Sequence, residues 1–594
     1  QLGVGQRPNV QDEQGELGHE TGGVFRSDDA GLTWRRINSL NERPYYYSWI
    51  EVDPNDDQRV YTGGVSLWAS TDGGRRFAAI NPNAIHVDFH TVWVDPADSS
   101  LVVATCDGGV NVSHDRGRSW EMLPNLPIGQ FYHVDVDNLQ PYNVYGGLQD
   151  NGTWGGPSRS RMREGIGWDE WIKIGQGDGF GAAVDHDNPN IIVVTSQNGG
   201  LTRYDLATHR NLPVNRPRVR GVDLRFAWDT PFFLSPHNSK ILYWAGNYPI
   251  RSIDQGRSSE LLSKEPMGRT ERGMASAFAE SPRQPGLLWL GMDDGALWRS
   301  DDHGHTWTRL DERVWSLPGP RFVSSIHPSA HDTDRVYVTF DGHRSNDFAA
   351  HVFVSDDRGN TWRSLVANLP DECAHVIYED QVNPDLLFLG TELRCWVSLD
   401  RGKQWFPLGS NLPTVPVRDL ALQQRENELV AATHGHGLWV IDVTPLRQLT
   451  AKVAASAAHL FTPKDAVLWR LRSRGTQGNK HFYAPNPPYG ATLYLWLAEV
   501  PDAAPEVTIH DVTGRRVATL TGKKQAGIQA LQWGAQGVGR GRRGGAAIGT
   551  PLRPGAYSAR FVHGEETQIR SFHLLPDPIE AAVEAVATQP ASGN

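Results

Sequence analysis

Cysteine is nearly absent from this sequence, which has only Cys106, Cys373 and Cys395 in 594 residues. Three is an odd number and no CxxC pair occurs, so the sequence indicates neither a disulfide framework nor a zinc ribbon. Cys373 and Cys395 could pair with each other. We favour buried free thiols, because unpaired cysteine packs like a small apolar residue.

Long apolar runs are missing too, and no polybasic segment suggests a membrane surface. No stretch approaches 18 apolar residues, so we predict no membrane span. The net charge is −11 with both signs well mixed, which argues against a nucleic-acid partner. Glycine-rich phosphate loops, GxSxG and HExxH do not occur, which excludes nucleotide, serine-hydrolase and zincin chemistry. We predict no cofactor.

Turn-forming and aromatic residues are plentiful, with 61 glycines, 38 prolines and 21 tryptophans. Without a long helical periodicity, this composition favours an all-β protein rich in turns. The chain begins Gln-Leu-Gly-Val-Gly, without Met or a signal peptide. We interpret it as a processed or truncated chain of an extracellular or periplasmic protein.

One eight-residue pattern, Ser-x-Asp-x-Gly-x-Thr-Trp, recurs along the chain. Its copies are Ser27–Trp34, Ser70–Phe77, Ser113–Trp120, Ser252–Ser259, Ser300–Trp307, Ser355–Trp362 and Ser398–Trp405. Successive aspartates are 43, 43, 139, 48, 55 and 43 residues apart, and the long gap divides into three intervals of about 46. Two units there have therefore kept the length without the motif.

Each copy follows a short apolar run and precedes an aromatic strand start, which is the pattern of a hairpin. The Asp side chain can accept bonds from its own turn, and the Gly supplies a backbone conformation that other residues avoid. The Trp or Phe is expected to lie between neighbouring sheets. Because the Asp recurs in every unit, we predict a structural role for it.

The pattern resembles the Asp-box, or BNR repeat, of sialidases, family 74 glycoside hydrolases and sortilin (VPS10) propellers, over roughly residues 20 to 445. The segments from Gln130 to Gly152 and from Thr433 to Asp442 are also similar to large secreted bacterial proteins described as sortilin-like or glycosyl-hydrolase-like. The resemblance implies a β-propeller of four-stranded blades. It does not fix the chemistry, because enzymes and receptors share the motif.

Ten repeat units, counting a partial first one, allow two arrangements. They could close one ten-bladed ring. Alternatively, residues 129–445 form a ring of about seven blades, and residues 1–128 are the last blades of a first ring whose start is missing. We favour two rings, because the first unit supplies third and fourth strands while the last supplies first to third, and these do not complete one blade.

The period breaks after residue 445. We predict a linker over 446–486, a β-sandwich over 487–575 and a tail over 576–594. Alternating strands with the hairpin turn Asp511-Val-Thr-Gly514 indicate the sandwich, which resembles Ig-like or FlgD-like modules of secreted bacterial enzymes. Gly534 to Gly549 is predicted to be a loop rich in Gly and Arg.

Ligand sites in propellers collect where loops converge near the central channel, so the loops between blades and the turns between second and third strands hold the candidate residues. Polar residues are dense from about Tyr45 to Asp178, including Tyr45, Tyr46 and Tyr47. The candidate ligand-binding residues are His86, Asp88, His90, Asp107, Gln130, Tyr132, Gln149 and Asn151. The alternative to a ligand site is that these residues form an interface between two rings.

His86, Asp88 and His90 alternate, so on a strand they would point the same way. Such a triplet could bind a divalent metal, hold substrate, or form a satisfied polar network at the channel mouth. Asp150 and Asp178, with Asp107, are the candidate catalytic carboxylates, since glycosidases need two acids. Glu392 and the His434–His436 pair lie on the equivalent face of later blades. Tight Gly-rich turns explain the histidine pair more simply than catalysis.

Two functions follow from these patterns. We favour a secreted sortilin-like protein that binds a peptide, glycan or partner protein on its loop face. The alternative is a family 74-like glycoside hydrolase that cleaves a polysaccharide between two propellers. However, neither the family 74 motifs nor the arginine triad and nucleophilic tyrosine of sialidases can be matched here.

Overall fold

The computed structural model describes residues 22–43, 48–80, 83–476, 478, 480–534 and 552–579. Antiparallel strands dominate, which confirms the all-β propeller prediction. Two α-helices occur there, Thr444–Gln448 and Ala451–Ala454, and neither is long enough to cross a membrane. The predictions for Tyr45, Tyr46, Tyr47, residues 1–20, most of the 534–549 loop and most of the tail lie outside the described residues.

The chain divides into two compact units. Unit 1 comprises residues 1–126 with 478–482, and unit 2 comprises residues 127–477 with 483–594. Unit 1 contains a two-stranded sheet and two four-stranded sheets. Its strands are Val24–Arg26 and Arg35–Asn38; Trp49–Asp53, Asp56–Gly63, Leu67–Ser70 and Ala78–Ala79; Phe89–Val94, Val102–Cys106, Gly109–Ser113 and Glu121–Met122.

Unit 2 begins with seven groups of strands, which we call blades 1 to 7; blades 1 and 7 are joined into one seven-stranded sheet. Blades 1 to 3 are Gly129–Val136, Asn143–Leu148, Gly152–Pro157 and Ile172–Lys173; Ala182–Val184, Ile191–Ser196, Gly200–Asp205 and Arg210–Pro213; Phe232–Ser235, Asn238–Ala245, Pro249–Ser252 and Glu260–Leu261. Blades 4 and 5 are Ala275–Glu280, Leu288–Met292, Leu297–Ser300 and Thr308–Arg309; Phe322–Pro328, Val336–Asp341, His351–Ser355 and Arg363–Ser364. Blades 6 and 7 are Ala374–Glu379, Leu387–Thr391, Cys395–Ser398 and Phe406–Pro407; Val417–Gln423, Glu428–Gly435 and Leu438–Asp442. Successive blades pack face to face through apolar side chains, as Trp289 of blade 4 does in a cluster with Val338 of blade 5.

The repeated motif forms the hairpin turn between third and fourth strands. In blade 4, Asp302 accepts bonds from the backbone N–H and hydroxyl of Thr306 (2.8 and 2.6 Å) and from the hydroxyl of Ser300 (2.8 Å). These bonds, those from Thr306 foremost, lower the pKa of Asp302 to about 2. His303 and Gly304 both have positive φ, 60° and 86°. The same left-handed pair occurs at Ala30–Gly31, Gly73–Gly74, Arg116–Gly117, Gln255–Gly256, Arg358–Gly359 and Arg401–Gly402.

The motif aromatics follow the expectation with one exception. Trp405 is 1% exposed and donates its indole N–H to the carbonyl of Leu365, in the preceding blade, at 2.8 Å. Phe77 and Trp362 are buried as well. Trp34 is 63% exposed, so the prediction is wrong there. In the described part of the chain its sheet has only two strands, and its indole turns back to bond the carbonyl of Gly31.

Removing one motif carboxylate should measurably weaken the fold. We expect Asp302→Ala to lower the free energy of unfolding by about 1–2 kcal/mol, because a turn loses its acceptor for several hydrogen bonds. Chemical denaturation of the full chain measures the change. Asp371→Ala is the matched control, since Asp371 is exposed and has no ion pair within the described residues. Equal effects of the two substitutions would refute the structural role.

The last blade of unit 2 meets the first. Gly129 and Gln130 pair with Gly435 and His434, and Asp419 of blade 7 accepts the N–H of Val134 at 3.1 Å. Between blades 1 and 2, Asp135 accepts the N–H of Val184 in the same way, at 2.9 Å. Because the junction of blades 7 and 1 repeats an ordinary blade junction, we propose one closed seven-bladed ring, the arrangement favoured from the sequence.

A β-sandwich completes unit 2. Its three-stranded sheet consists of Ala458–Leu460, Ala491–Leu497 and Gly527–Trp533, and its five-stranded sheet of Ala466–Val467, Glu566–Leu575, Gly555–His563, Glu506–Asp511 and Arg516–Thr521. Their inner faces share one apolar core, which includes Leu495, Ile509 and Phe572. The interval 446–486 differs from the linker predicted for it, because two of these strands come from it. The other predicted domain boundaries stay predictions.

The sandwich segment contacts both ends of the ring. Lys464 pairs with Glu428 and Asp442 of blade 7 at 3.4 and 3.0 Å. Arg161, in the connection that replaces the motif turn of blade 1, pairs at 2.6 Å with Asp577, which is 1% exposed. Ile166–Gly167 from the same connection pairs with Tyr483–Ala484. The seam between blades 7 and 1 is therefore bridged from outside the ring.

The three cysteines are free and buried. Cys373 and Cys395 do not form a disulfide, so the favoured interpretation is confirmed. Burial raises the pKa of the Cys395 thiol to about 12. These thiols therefore serve packing.

Candidate functional site

The two ends of the unit 2 blades differ in composition. At one end, motif turns bond to the turns between first and second strands, as in Arg401 N–H to Asp385 O at 3.0 Å. The other end carries the loops between blades and the turns between second and third strands. A bulge in several first strands re-aims a side chain there, at Tyr132–His133, His375 and Arg418. We call this end the loop face.

His133 lies at the centre of a polar cluster on the loop face. Its Nε2 is 2.9 Å from the carboxylate of Asp229, in the loop between blades 2 and 3. Its Nδ1 is 3.3 Å from the carboxylate of Asp419, in blade 7. Burial alone would lower the pKa of His133, but the two carboxylates outweigh it and hold the pKa well above the ordinary value. His133 is therefore an imidazolium at neutral pH that joins three parts of the ring.

Tyr132 lies beside His133 and faces three loops. Its hydroxyl donates to the side-chain oxygen of Gln149, and its ring packs on Phe180 and His434 with centroids 4.7 and 5.1 Å away. Burial and the carboxylates of Asp229, Asp178 and Asp150 raise its pKa to about 12. Tyr132 is thus a neutral hydrogen-bonding group in a negatively charged setting.

The predicted catalytic carboxylates come together. The N–H of Asp150 donates to the carboxylate of Asp178 at 2.9 Å, and Asp178 is only 4% exposed. Burial, together with the adjoining Asp150 carboxyl, raises the pKa of Asp178. Such a pair shares a proton or a hydrogen bond. In a glycosidase the two carboxyl groups stand about 5–10 Å apart with the sugar between them, whereas Asp178 is buried against the Asp150 turn.

We name the channel mouth as the group formed by Tyr132, His133, Gln149, Asp178, Asp229 and Asp419, with Trp228 at its rim. The Trp228 side chain is 46% exposed and meets Phe180 edge to face at 6.3 Å. Among the other predicted residues, Asn151 bonds the backbone carbonyl of Gln149 at 2.9 Å. Gln130 is exposed, and its backbone carbonyl accepts the Gln149 N–H at 3.0 Å. These two support the turn that presents Gln149.

A second polar network lies on the loop face of blades 5 to 7. His375, 4% exposed, donates to Glu392 at 2.7 Å and accepts from Arg418 at 3.3 Å. Burial and the neighbouring Arg418 lower the pKa of His375, so its imidazole is neutral. Asp341 accepts from His343 at 2.7 Å. Buried polar groups need partners. His375, Glu392 and Asp341 have them, whereas the buried Nε of Arg418 has none among the described residues.

The unit 1 candidates are arranged differently from the prediction. The strand begins at Phe89, so His86 and Asp88 precede it, and Asp88 has a positive φ of 66°. A bulge at His90 breaks the alternation further. The prediction that the three residues alternate along one strand is therefore wrong. His90 instead bonds the carboxylate of Asp107 at 2.6 Å, Asp88 lies 3.5 Å from Arg43, and His86 bonds the carbonyl of Val87 at 3.0 Å.

Sequence comparisons agree with the geometry of the repeats. The profile of the Sortilin-Vps10 family, described as sortilin, neurotensin receptor 3, matches residues 295–437. Xyloglucanase Xgh74A of Acetivibrio thermocellus is 30% identical over 230 residues, which cover 30% of this chain and 26% of that protein. A Paenibacillus xyloglucanase is 22% identical over 388 residues, covering 57% and 35%. The chain is a sortilin-like, family 74-like Asp-box propeller protein.

This propeller protein spans about a quarter to a third of the length of those relatives. Among solved structures, PorZ of Porphyromonas gingivalis, a bacterial surface component of the type-IX secretion system, gives a TM-score of 0.42 at 13% identity, covering 93% of this chain and 73% of PorZ. A family 74 xyloglucanase of Xanthomonas campestris gives 0.28 at 14% identity, covering 89% and 95%.

Several residues of the loop face were not found from the sequence of this propeller protein. Asp229 and Trp228 lie in a loop without a motif. Asp419 lies in a first strand whose sequence has no unusual feature. His375 and Arg418 are bulge positions, which a regular alternation hides. The expectation that polar residues concentrate from about Tyr45 to Asp178 overlooked these positions. A comparison of the second residue of every first strand could have suggested them.

The His133 bridge should make stability depend on pH. The folded pKa lies above the unfolded value of about 6.5, so the stabilisation is complete below that pH. It is lost as the pH rises through the raised folded pKa. We expect the melting temperature of the native chain to exceed that of His133→Gln at pH 6, and the gap to narrow at alkaline pH. Differential scanning calorimetry checks this, and a constant gap would contradict it.

Proposed function

We propose that this protein binds a glycan over the channel mouth of unit 2. The observation that carries the proposal is an exposed indole, Trp228, beside a fixed set of hydrogen-bonding groups. Asp229, the next residue, is held by His133, and Tyr132 and Gln149 are held by each other. Sites of this composition orient a ligand through a few placed polar groups next to an aromatic surface.

A sugar ring can contact both the aromatic surface and the polar groups of the channel mouth. Its C–H face packs against an aromatic plane, and its hydroxyls donate to carboxylates and accept from imidazolium or amide N–H groups. The side chain of Asp229 is 36% exposed, and the side chain of His133 is 43% exposed. Both can therefore still reach a ligand while bonded to each other.

The choice of a glycan over a peptide or partner protein is supported by the relatives, whose names describe xyloglucanases. We also propose an extracellular or periplasmic location for this protein, since polysaccharides such as xyloglucan lie outside cells.

Glycoside hydrolysis is the second candidate function, favoured by the same relatives. In unit 2 it has the weaker support, because the carboxylate of Asp178 is buried and accepts the backbone N–H of Asp150. A hydrolase would need another carboxylate at the proper separation from one of them.

Calorimetric titration separates these possibilities. Xyloglucan and cellulose oligosaccharides are titrated into the full chain, with a mixture of unrelated peptides as the comparison, and new reducing ends are measured in parallel. Saturable heat with oligosaccharides and no new reducing ends is the expected result. Turnover that disappears in Asp150→Asn and Asp178→Asn would establish the hydrolase instead. Saturable binding of peptides alone would refute the glycan proposal.

A further inference from the structure

The loop between blades 2 and 3 carries more than Trp228 and Asp229. Residues 214–231 also contain Arg216, Arg218, Arg220 and Arg225, with Asp223 as the only acidic residue before Asp229. Four arginines within ten residues stand out in a chain whose net charge is −11. This arginine loop, defined by those four residues, runs directly into the rim of the channel mouth.

The described residues leave most of this positive charge uncompensated. Arg216 donates to the backbone carbonyl of Asn198 at 2.9 Å and stacks over the ring of Phe226 at 4.5 Å. Arg225 donates to the carbonyl of Glu271, and its only carboxylate, that of Asp223, is 4.0 Å away. Carbonyls and rings orient a guanidinium but do not neutralise it.

Arg218 and Arg220 are exposed and make no ion pair in the part of the chain that the structure describes. Their charge is therefore available to a ligand.

A neighbouring arginine in blade 2 shows the same imbalance. Arg203, Arg251 and Arg299 occupy equivalent third-strand positions in blades 2 to 4, and each donates to a carbonyl of the next motif turn, as Arg203 does to Gln255 at 3.3 Å. Arg251 and Arg299 also pair with carboxylates, those of Glu260 and Asp301.

Arg203 has no such carboxylate, although it is 8% exposed, and its buried Nε has no hydrogen-bond partner among the described residues. Arg257 nearby adds a like charge, and Asp254 and Asp205 act on Arg203 with the opposite charge without bonding to it. Arg203 is therefore a buried guanidinium without a directly bonded carboxylate, in the blade that precedes the arginine loop.

We infer that the arginine loop binds the acidic groups of an anionic glycan, one that carries uronate carboxylates or sulfate esters. This inference rests on the proposed function and names its ligand class. Guanidinium groups bind planar carboxylate and sulfate oxygens through paired N–H donors. One sugar residue then occupies the Trp228 rim, and charged residues farther along the chain meet Arg218 and Arg220.

The test compares glycans that differ in charge. The full chain is titrated with a galacturonate hexamer, a sulfated oligosaccharide of similar length and a neutral xyloglucan oligosaccharide, each at two salt concentrations. We expect at least one anionic oligosaccharide to bind tenfold or more tightly than the neutral one, and to weaken as salt rises. Arg218→Gln/Arg220→Gln should lose most of that preference. Arg516→Gln/Arg560→Gln is the matched control, two exposed arginines of the sandwich.

The outcomes are distinguishable. Equal binding of neutral and anionic glycans, unchanged in the loop variant, would overturn the inference and keep the proposed function. No glycan binding would overturn both. Equal losses in the loop and control variants would mean unspecific attraction and would also overturn the inference. A polyuridine of matched charge is titrated in parallel. If it binds more tightly than the anionic oligosaccharides, the inference is overturned and the loop is assigned to a nucleic acid. The melting temperatures of both variants verify that they remain folded.

Discussion

Replacement of Arg447 by Ala is expected to lower the free energy of unfolding by about 3–5 kcal/mol. Arg447 lies in the helix that follows blade 7, and its guanidinium is 7% exposed. It pairs at 2.8 Å with the carboxylate of Asp380 in blade 6, which is fully buried. Arg447 also donates to Asn427 and, at 2.8 Å, to Gln424. Without it, a buried carboxylate keeps only backbone donors and no counter-ion.

A neighbouring ion pair provides the control. Arg401 and Asp385 of blade 6 are 2.6 Å apart, but their side chains are 43% and 54% exposed. Arg401→Ala should therefore cost only about 0–1 kcal/mol. Adding Asp380→Asn to Arg447→Ala should recover part of the loss, because it removes the buried charge. Urea denaturation measures all three variants. A loss for Arg447→Ala no larger than that of Arg401→Ala would contradict the prediction.

Replacement of Trp228 by Ala is expected to weaken glycan binding by about tenfold to thirtyfold. Aromatic anchors at the centre of a binding surface commonly contribute 1–2 kcal/mol or more, and each 1.4 kcal/mol is a factor of ten in affinity. The indole is 46% exposed, so its removal should change the melting temperature little. Calorimetric titration with the tightest oligosaccharide of the panel gives the dissociation constant.

Trp168→Ala is the comparison for that experiment. Trp168 is 59% exposed in unit 2, but it belongs to the connection between the third and fourth strands of blade 1, away from the loop face. It should leave affinity unchanged. Retained affinity in Trp228→Ala, or an equal loss in both variants, would remove the channel mouth as the binding site.

The fold was predictable because its signal is local and repeated. A motif such as Ser300–Trp307 satisfies its own turn with its own side chains, so the sequence alone reports the hairpin. The strands at Ala458–Leu460 and Ala466–Val467 were missed for the opposite reason. They are short, they lack turn signals, and their partners lie 30 or more residues away. Pairing at that distance leaves little trace in a local pattern.

The site was predictable only in part. Tyr132, Gln149, Asp150 and Asp178 were predicted as candidates because their loops are denser in polar side chains than the corresponding loops of later blades. The partners of His133 were not predicted, since Asp229 and Asp419 are 96 and 286 residues away along the chain and meet it only in the folded protein. The alternation of His86 and His90 misled, because a register shift cannot be read from residue types alone.

The bridge from the sandwich to blade 1 also has a consequence for the order of events during synthesis. Blade 1 is made before the other six blades, yet Arg161 pairs with Asp577 and Ile166–Gly167 with Tyr483–Ala484. The oldest sheet of the ring thus receives its last partners from residues translated more than 300 positions later. Translation must reach Asp577 before this bridge can form, whereas the direct contacts of blade 7 with blade 1 can form as soon as blade 7 is made.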